Sequence, residues 1–218
     1  MKSFISLVRK ELVYEWRSLY QIGGVLAFLF GVSYLIYFFS GGANPELWNL
    51  LYWLVFMFLC FFTGSRVFEE DTQRFKIISY QLLHPFKLFA AKSVYLFVLL
   101  NVLGVLLWSV LSLLIPLSEN ALSNWLILLI FFNTGMSLIL TFSSFLASQG
   151  QGKTLLLTVL VLPLSFPLMG TAFETGLKIL NGYGFDIYFS GLRIIIGINL
   201  FVLAMIIFLV PLTWKNSY

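Results

Sequence analysis

The sequence predicts an all-α membrane protein of six spans, and three observations lead there. First, 60% of its 218 residues are hydrophobic and only 10% are charged, whereas a soluble domain carries about 25% charged residues. Second, six apolar runs lie at about 21–40, 47–65, 93–116, 125–147, 154–173 and 191–212. Each is close to or above the ~20 residues that cross a hydrocarbon core as a helix. Lipid cannot satisfy an open backbone, so these runs are expected to be helical. Third, the basic residues are one-sided. Eleven of the thirteen lysines and arginines fall in the termini and connections on one side, leaving Lys178 and Arg193 for the other. By the positive-inside rule, both termini face the cytoplasm. The net charge of +4 then reads as topology and contact with anionic lipid, not as a nucleic-acid surface.

The whole chain, 1–218, is expected to form a single transmembrane domain. Residues 1–17 open it as an amphipathic helix lying on the membrane surface. Ile5, Val8, Leu12 and Trp16 recur at helical spacing, while Arg9, Lys10 and Arg17 lie off that stripe. Charges scattered through this stretch also argue against a cleavable signal. The second run holds Cys60, the only cysteine, which excludes an intramolecular disulfide and a cysteine metal cluster.

Residues 66–87 form the longest cytoplasmic connection. It carries three acids, Glu69, Glu70 and Asp71, near its start. Phe75, Ile78 and Leu82 then fall on one helical face, and Pro85 is expected to end the segment. A short helix here would protrude as a knob for a cytoplasmic partner to grip. The plainer reading is a solvated loop.

Gly152-Lys153-Thr154 completes a near match to the phosphate-binding loop Gly-x-x-x-x-Gly-Lys-[Ser/Thr], but Ala147 stands where the first glycine belongs. That loop works between a strand and a helix. Here apolar runs flank it on both sides, so it reads as a cytoplasmic turn. The fifth run contains Pro163 and Pro167. Each lacks an N–H and clashes with the preceding turn, so this span is expected to kink or break. Residues 174–190, half polar and rich in glycine and tyrosine, are then expected as a short periplasmic helix or a re-entrant segment.

Asn101, Asn133 and Asn199 lie inside the third, fourth and sixth runs, where amides bridge helices. Lys92 and Arg193, at span ends, are expected to snorkel to headgroups. Met57, Met136, Met169 and Met205 read as packing residues. Paired carboxylates, a Ser-His-Asp set and a metal-ligand cluster are all missing from the pattern, so no catalytic or metal-ligating residue is expected and the chain does not read as an enzyme.

The order of parts resembles the membrane subunits of ABC exporters of the second type, also called type V. These have an interfacial helix, six spans, a coupling helix between spans two and three, and a broken region before span six. Two stretches more narrowly resemble the haem exporter protein B (CcmB) family of cytochrome c maturation. One is Phe68-Glu69-Glu70-Asp71 with Leu82-Leu83-x-Pro85 and Ala91-Lys92. The other is Gly152-Lys153 with LLLTVLVLPLSFPLMG. The chain departs from the family where TQRFKII replaces an Asp-Gly-x-x-Glu pattern and where His84 replaces a serine.

The resemblance implies a non-catalytic, multi-pass subunit of the bacterial inner membrane. A separate cytoplasmic ABC ATPase would bind ATP and grip Glu69, Glu70, Asp71, Phe75, Ile78, Leu82 and His84. A tryptophan-rich, haem-handling membrane subunit and a second copy of this chain are further implied partners. Haem enters as a transported or handled substrate rather than a resident cofactor, and the ATPase stroke either moves haem or releases a haem-loaded chaperone. His84, the only histidine, is a haem ligand on one reading and an ATPase contact or solvent-facing residue on the other. Competing functions are another ABC-2 exporter, for lipid, polysaccharide or drug, and a non-transporting scaffold. A secondary transporter fits less well, because its ionisable groups usually lie near the midplane, and here they cluster at span ends.

Overall fold

The computed structural model describes residues 6–10, 13, 19–40, 45–65, 67, 85–114, 121–147 and 153–215. Residues 6–10 and 13 are helical, with Arg9 and Lys10 exposed and Leu7 and Val8 half-buried. Six long helices follow: α1 (Leu19–Ser40), α2 (Pro45–Gly64), α3 (Pro85–Leu114), α4 (Ala121–Ala147), α5 (Lys153–Leu180) and α6 (Phe185–Lys215). No strand occurs among the described residues. Five of these helices, α2 to α6, are long and apolar enough to cross a membrane. In α1, 26–35 is a shorter apolar stretch.

The architecture follows from which faces are apolar on which sides. α4 is the central helix and packs on α2, α3, α5 and α6, whereas α1 leans on α2 and α3. The helices approach closely where glycine removes a side chain. A Cβ on Gly104 of α3 would lie 2.8 Å from Leu129 of α4, and one on Gly64 of α2 would lie 2.5 Å from Leu140. Small residues let helix backbones approach in just this way when lipid supplies no hydrophobic drive. The outward faces are apolar too. Phe38 is 68% exposed and Phe208 is 76% exposed, a distribution that suits lipid and not water.

Three expectations about helix limits change. The fifth helix is not broken: it runs from Lys153 to Leu180 through Pro163 and Pro167. Both prolines lie on its exposed face, four residues apart, while α4 and α6 hold the opposite face. The two missing N–H groups therefore fall on one side, and the remaining ladder carries the helix on. Residues 174–190 are accordingly neither a separate helix nor a re-entrant segment, but the end of α5, a turn, and the start of α6. The third helix starts at Pro85, eight residues before the expected edge of its span, because proline is pre-set for a first helical position.

The α5–α6 turn has a full C-terminal cap. Gly182 sits at φ 73°, its N–H donates to the Ile179 carbonyl, and the Tyr183 N–H donates to the Lys178 carbonyl, each at 3.1 Å. This is the Schellman arrangement, whose left-handed position favours glycine. Before the turn, Lys178 pairs with Glu174 at 2.7 Å, one turn back.

Candidate functional site

Of the expected coupling residues, Glu69, Glu70, Asp71, Phe75, Ile78, Leu82 and His84 lie outside the described residues, and so does the rest of 68–84. The two ends of that segment are described. The chain leaves α2 with the Ser65 N–H on the Phe61 carbonyl and the Val67 N–H on the Gly64 carbonyl. Val67 is 6% exposed. Its carbonyl accepts a hydrogen bond from Lys92 Nζ at 2.5 Å. Lys92 is only 2% exposed, so the expected snorkelling to headgroups does not occur. A buried cation needs acceptors, and the carbonyls beyond the end of α2, where the helix dipole is negative, provide one. The segment is thus tied to α3 where it leaves α2, and it rejoins the bundle at Pro85.

The opposite end of the bundle holds an aromatic cluster. Trp48, Tyr52, Trp53 and Phe56 on α2 repeat at helical spacing and meet Trp125 and Phe132 of α4. Trp48 and Trp125 rings stand 5.2 Å apart, edge to face, and Trp53 and Phe132 are 4.7 Å apart. Trp108 of α3 adds a second edge-to-face partner to Trp48 at 6.4 Å. Such pairs add to the area they bury. Two polar ties run through this cluster. Tyr52 donates to the Gly104 carbonyl of α3 at 3.1 Å. Asn49 donates to the Phe173 carbonyl of α5 at 2.8 Å and accepts from Trp53 Nε1 at 3.0 Å.

The three asparagines singled out in the sequence divide. Asn199 bridges helices as expected, donating from α6 to the Phe131 carbonyl of α4 at 2.9 Å. Gly135 makes room for it, since a Cβ there would collide with Asn199 Oδ1. Asn101 does not bridge: its amide turns onto the Phe97 carbonyl of its own helix at 2.7 Å. Asn133 is fully buried, and among the described residues both its amide nitrogen and oxygen lack a hydrogen-bond partner. Arg193 is exposed, with its guanidinium 5.2 Å from the Phe189 ring centre. Met136 is fully buried in the core. Asn49 escaped the sequence reading, although Trp48, Tyr52, Trp53 and Phe56 mark the same face at a spacing that could have flagged it.

Lys153 begins a helix that is preceded by the helix α4, not by the strand that a phosphate-binding loop requires. Among the described residues no group of three or more His, Cys, Asp or Glu side chains could hold a metal ion.

The family model described as CcmB protein matches residues 2–217. The chain belongs to the CcmB family. It is therefore a transmembrane subunit of an ABC transporter system for haem transport in cytochrome c biogenesis, integral to the inner membrane. No curated protein matches the chain.

Proposed function

We propose that this CcmB-family chain is the six-span membrane half of a complex driven by a separate cytoplasmic ABC ATPase, and that the segment 66–84 is where the ATPase grips. The match of the family over residues 2–217 carries this reading. The anchored ends of the segment support it, because a lever needs a fixed root: Lys92 holds Val67 on one side and α3 begins directly at Pro85 on the other. α1 is the sixth span, completed by the lipid-facing side chains Phe28, Phe30, Tyr34 and Phe38. Both termini are cytoplasmic, on the basic asymmetry of the sequence. ATP is bound and hydrolysed in the partner subunit, and haem is the substrate that the complex handles with a tryptophan-rich membrane subunit. A second copy of this chain completes the membrane half.

The experiment is co-purification of the ATPase with Phe75→Ala/Leu82→Ala at matched subunit levels. Interface anchors are large apolar side chains worth about 2 kcal/mol or more each when truncated. The double variant should insert normally, lose the ATPase and abolish cytochrome c maturation. Full recovery of the ATPase with normal cytochrome c would place the coupling surface elsewhere.

A further inference from the structure

Among the described residues, Asn133 is the one buried residue whose side-chain nitrogen and oxygen both lack a hydrogen-bond partner. Asn133 lies thirteen residues into the 27-residue helix α4, near mid-bilayer depth for a helix that spans. It is fully buried, and neither its amide N–H groups nor its oxygen finds a partner among the described residues. An unpaired amide in a low-dielectric interior is destabilising, and in native proteins such groups are satisfied by protein or by ordered water.

The position of Asn133 on its helix says what surrounds it. It shares a stripe of α4 with Leu129, four residues before it, and Leu140, seven after it. The side chain of Leu129 faces Gly104 of α3 and Phe56 of α2, and that of Leu140 faces Gly64 of α2. The stripe therefore looks into the seam between α2 and α3. Towards Ala147 it continues through Ser137, Thr141 and Ser144, all buried. Ser137 and Thr141 turn their hydroxyl hydrogens back onto the carbonyls of Thr134 and Ser137, at 2.9 and 2.7 Å, which leaves their oxygens free to accept. Leu140 on this stripe meets Gly64 of α2, and three residues beyond Gly64 the Val67 carbonyl holds the buried Lys92. In the other direction the line stops at Trp53, Phe132 and Trp125, which pack ring on ring. Polar groups thus run from one face of the bundle to its middle and are closed off there by aromatic side chains.

We propose that Asn133 binds internal water, at the blind end of a hydrated seam formed by Ser137, Thr141 and Ser144 of α4 against α2 and α3. Water satisfies a donor and an acceptor at once, as the Asn133 amide requires, and internal waters typically make two to four such bonds. The apolar residues on the other faces of α4 stay dry.

The test is thiol reactivity in a Cys60→Ala background, in detergent, with a small charged methanethiosulfonate that reacts only where water reaches. Asn133→Cys, Ser137→Cys and Ser144→Cys should react at least ~10-fold faster than Ile139→Cys, a control that is equally buried but lies about 120° away around the helix. Reaction of Asn133→Cys no faster than that of Ile139→Cys would overturn the proposal. If the cysteine variants fail to accumulate, water-edited solid-state NMR of the unaltered, asparagine-labelled chain gives the same reading. The Asn133 side-chain amide should gain magnetisation from water as quickly as exposed amides do. Build-up as slow as that of the buried core would refute the seam.

Discussion

Replacing Asn49 by leucine tests whether interhelical amides or general packing hold α2 against α5. The substitution nearly preserves volume, so the effect comes from two hydrogen bonds. One is the 2.8 Å bond to the Phe173 carbonyl. That carbonyl can still accept from its own helix, so the loss is of the order measured for interhelical bonds in membranes, averaging about 0.6 kcal/mol. The other partner is Trp53 Nε1, 3.0 Å from Asn49 Oδ1, on a side chain 1% exposed. It would be left as a buried donor without an acceptor, which costs about 1–3 kcal/mol. The two together come to about 1.6–3.6 kcal/mol, or roughly 15- to 400-fold in the unfolding equilibrium. Asn101→Leu is the matched control. Its amide reaches only its own helix, no buried donor is stranded, and about 0.5 kcal/mol or less should be lost. Both variants would be unfolded in mixed micelles by titration with sodium dodecyl sulfate, followed by circular dichroism and tryptophan fluorescence. Equal midpoints for the two variants would refute the reasoning, because they would show that the bridge at Asn49 adds nothing to packing.

Gly104→Val should destabilise by about 1–3 kcal/mol through overpacking, since even a Cβ would meet Leu129 at 2.8 Å. Gly197→Ala, where a Cβ meets nothing within 4 Å, should instead stabilise by up to about 1 kcal/mol through helix propensity. The same titration reads both. Gly182→Ala should cost about 1–2 kcal/mol, because φ 73° is left-handed and disfavours a Cβ. Thermal denaturation compared with Gly184→Ala, whose φ is not positive, would check it. Lys92→Met should leave abundance unchanged but release Val67, so that trypsin cuts after Arg66 several-fold faster while cleavage after Arg74 is unaltered.

The apolar runs announced the helices because burial in lipid and helical structure demand the same composition. The ends were less legible. Hydropathy stops where the bilayer stops, but hydrogen bonding does not, and α5 continues seven residues past its apolar run while α3 begins eight residues before its own. Pro163 and Pro167 misled for a related reason: local chemistry gives the missing N–H groups, and only packing shows that both fall on the exposed side. Lys92 reads as a headgroup ligand until the Val67 carbonyl is placed beside it, and that juxtaposition depends on two helices separated by the entire 68–84 segment. The asparagines carried no mark in sequence that distinguished a bridge (Asn199), a self-bonded amide (Asn101) and an unpaired one (Asn133).

The capped turn at Gly182 bears on how the chain is made. With the carbonyls of Lys178 and Ile179 already bonded within the turn, the tip between α5 and α6 presents few unmet backbone groups as it passes through a bilayer. The last two helices can enter the membrane together, as a closed hairpin leaving the translocation machinery in one step. α6 does not have to wait for α4 to satisfy the end of α5. A hairpin closed in this way would dock against α1 to α4 as one unit.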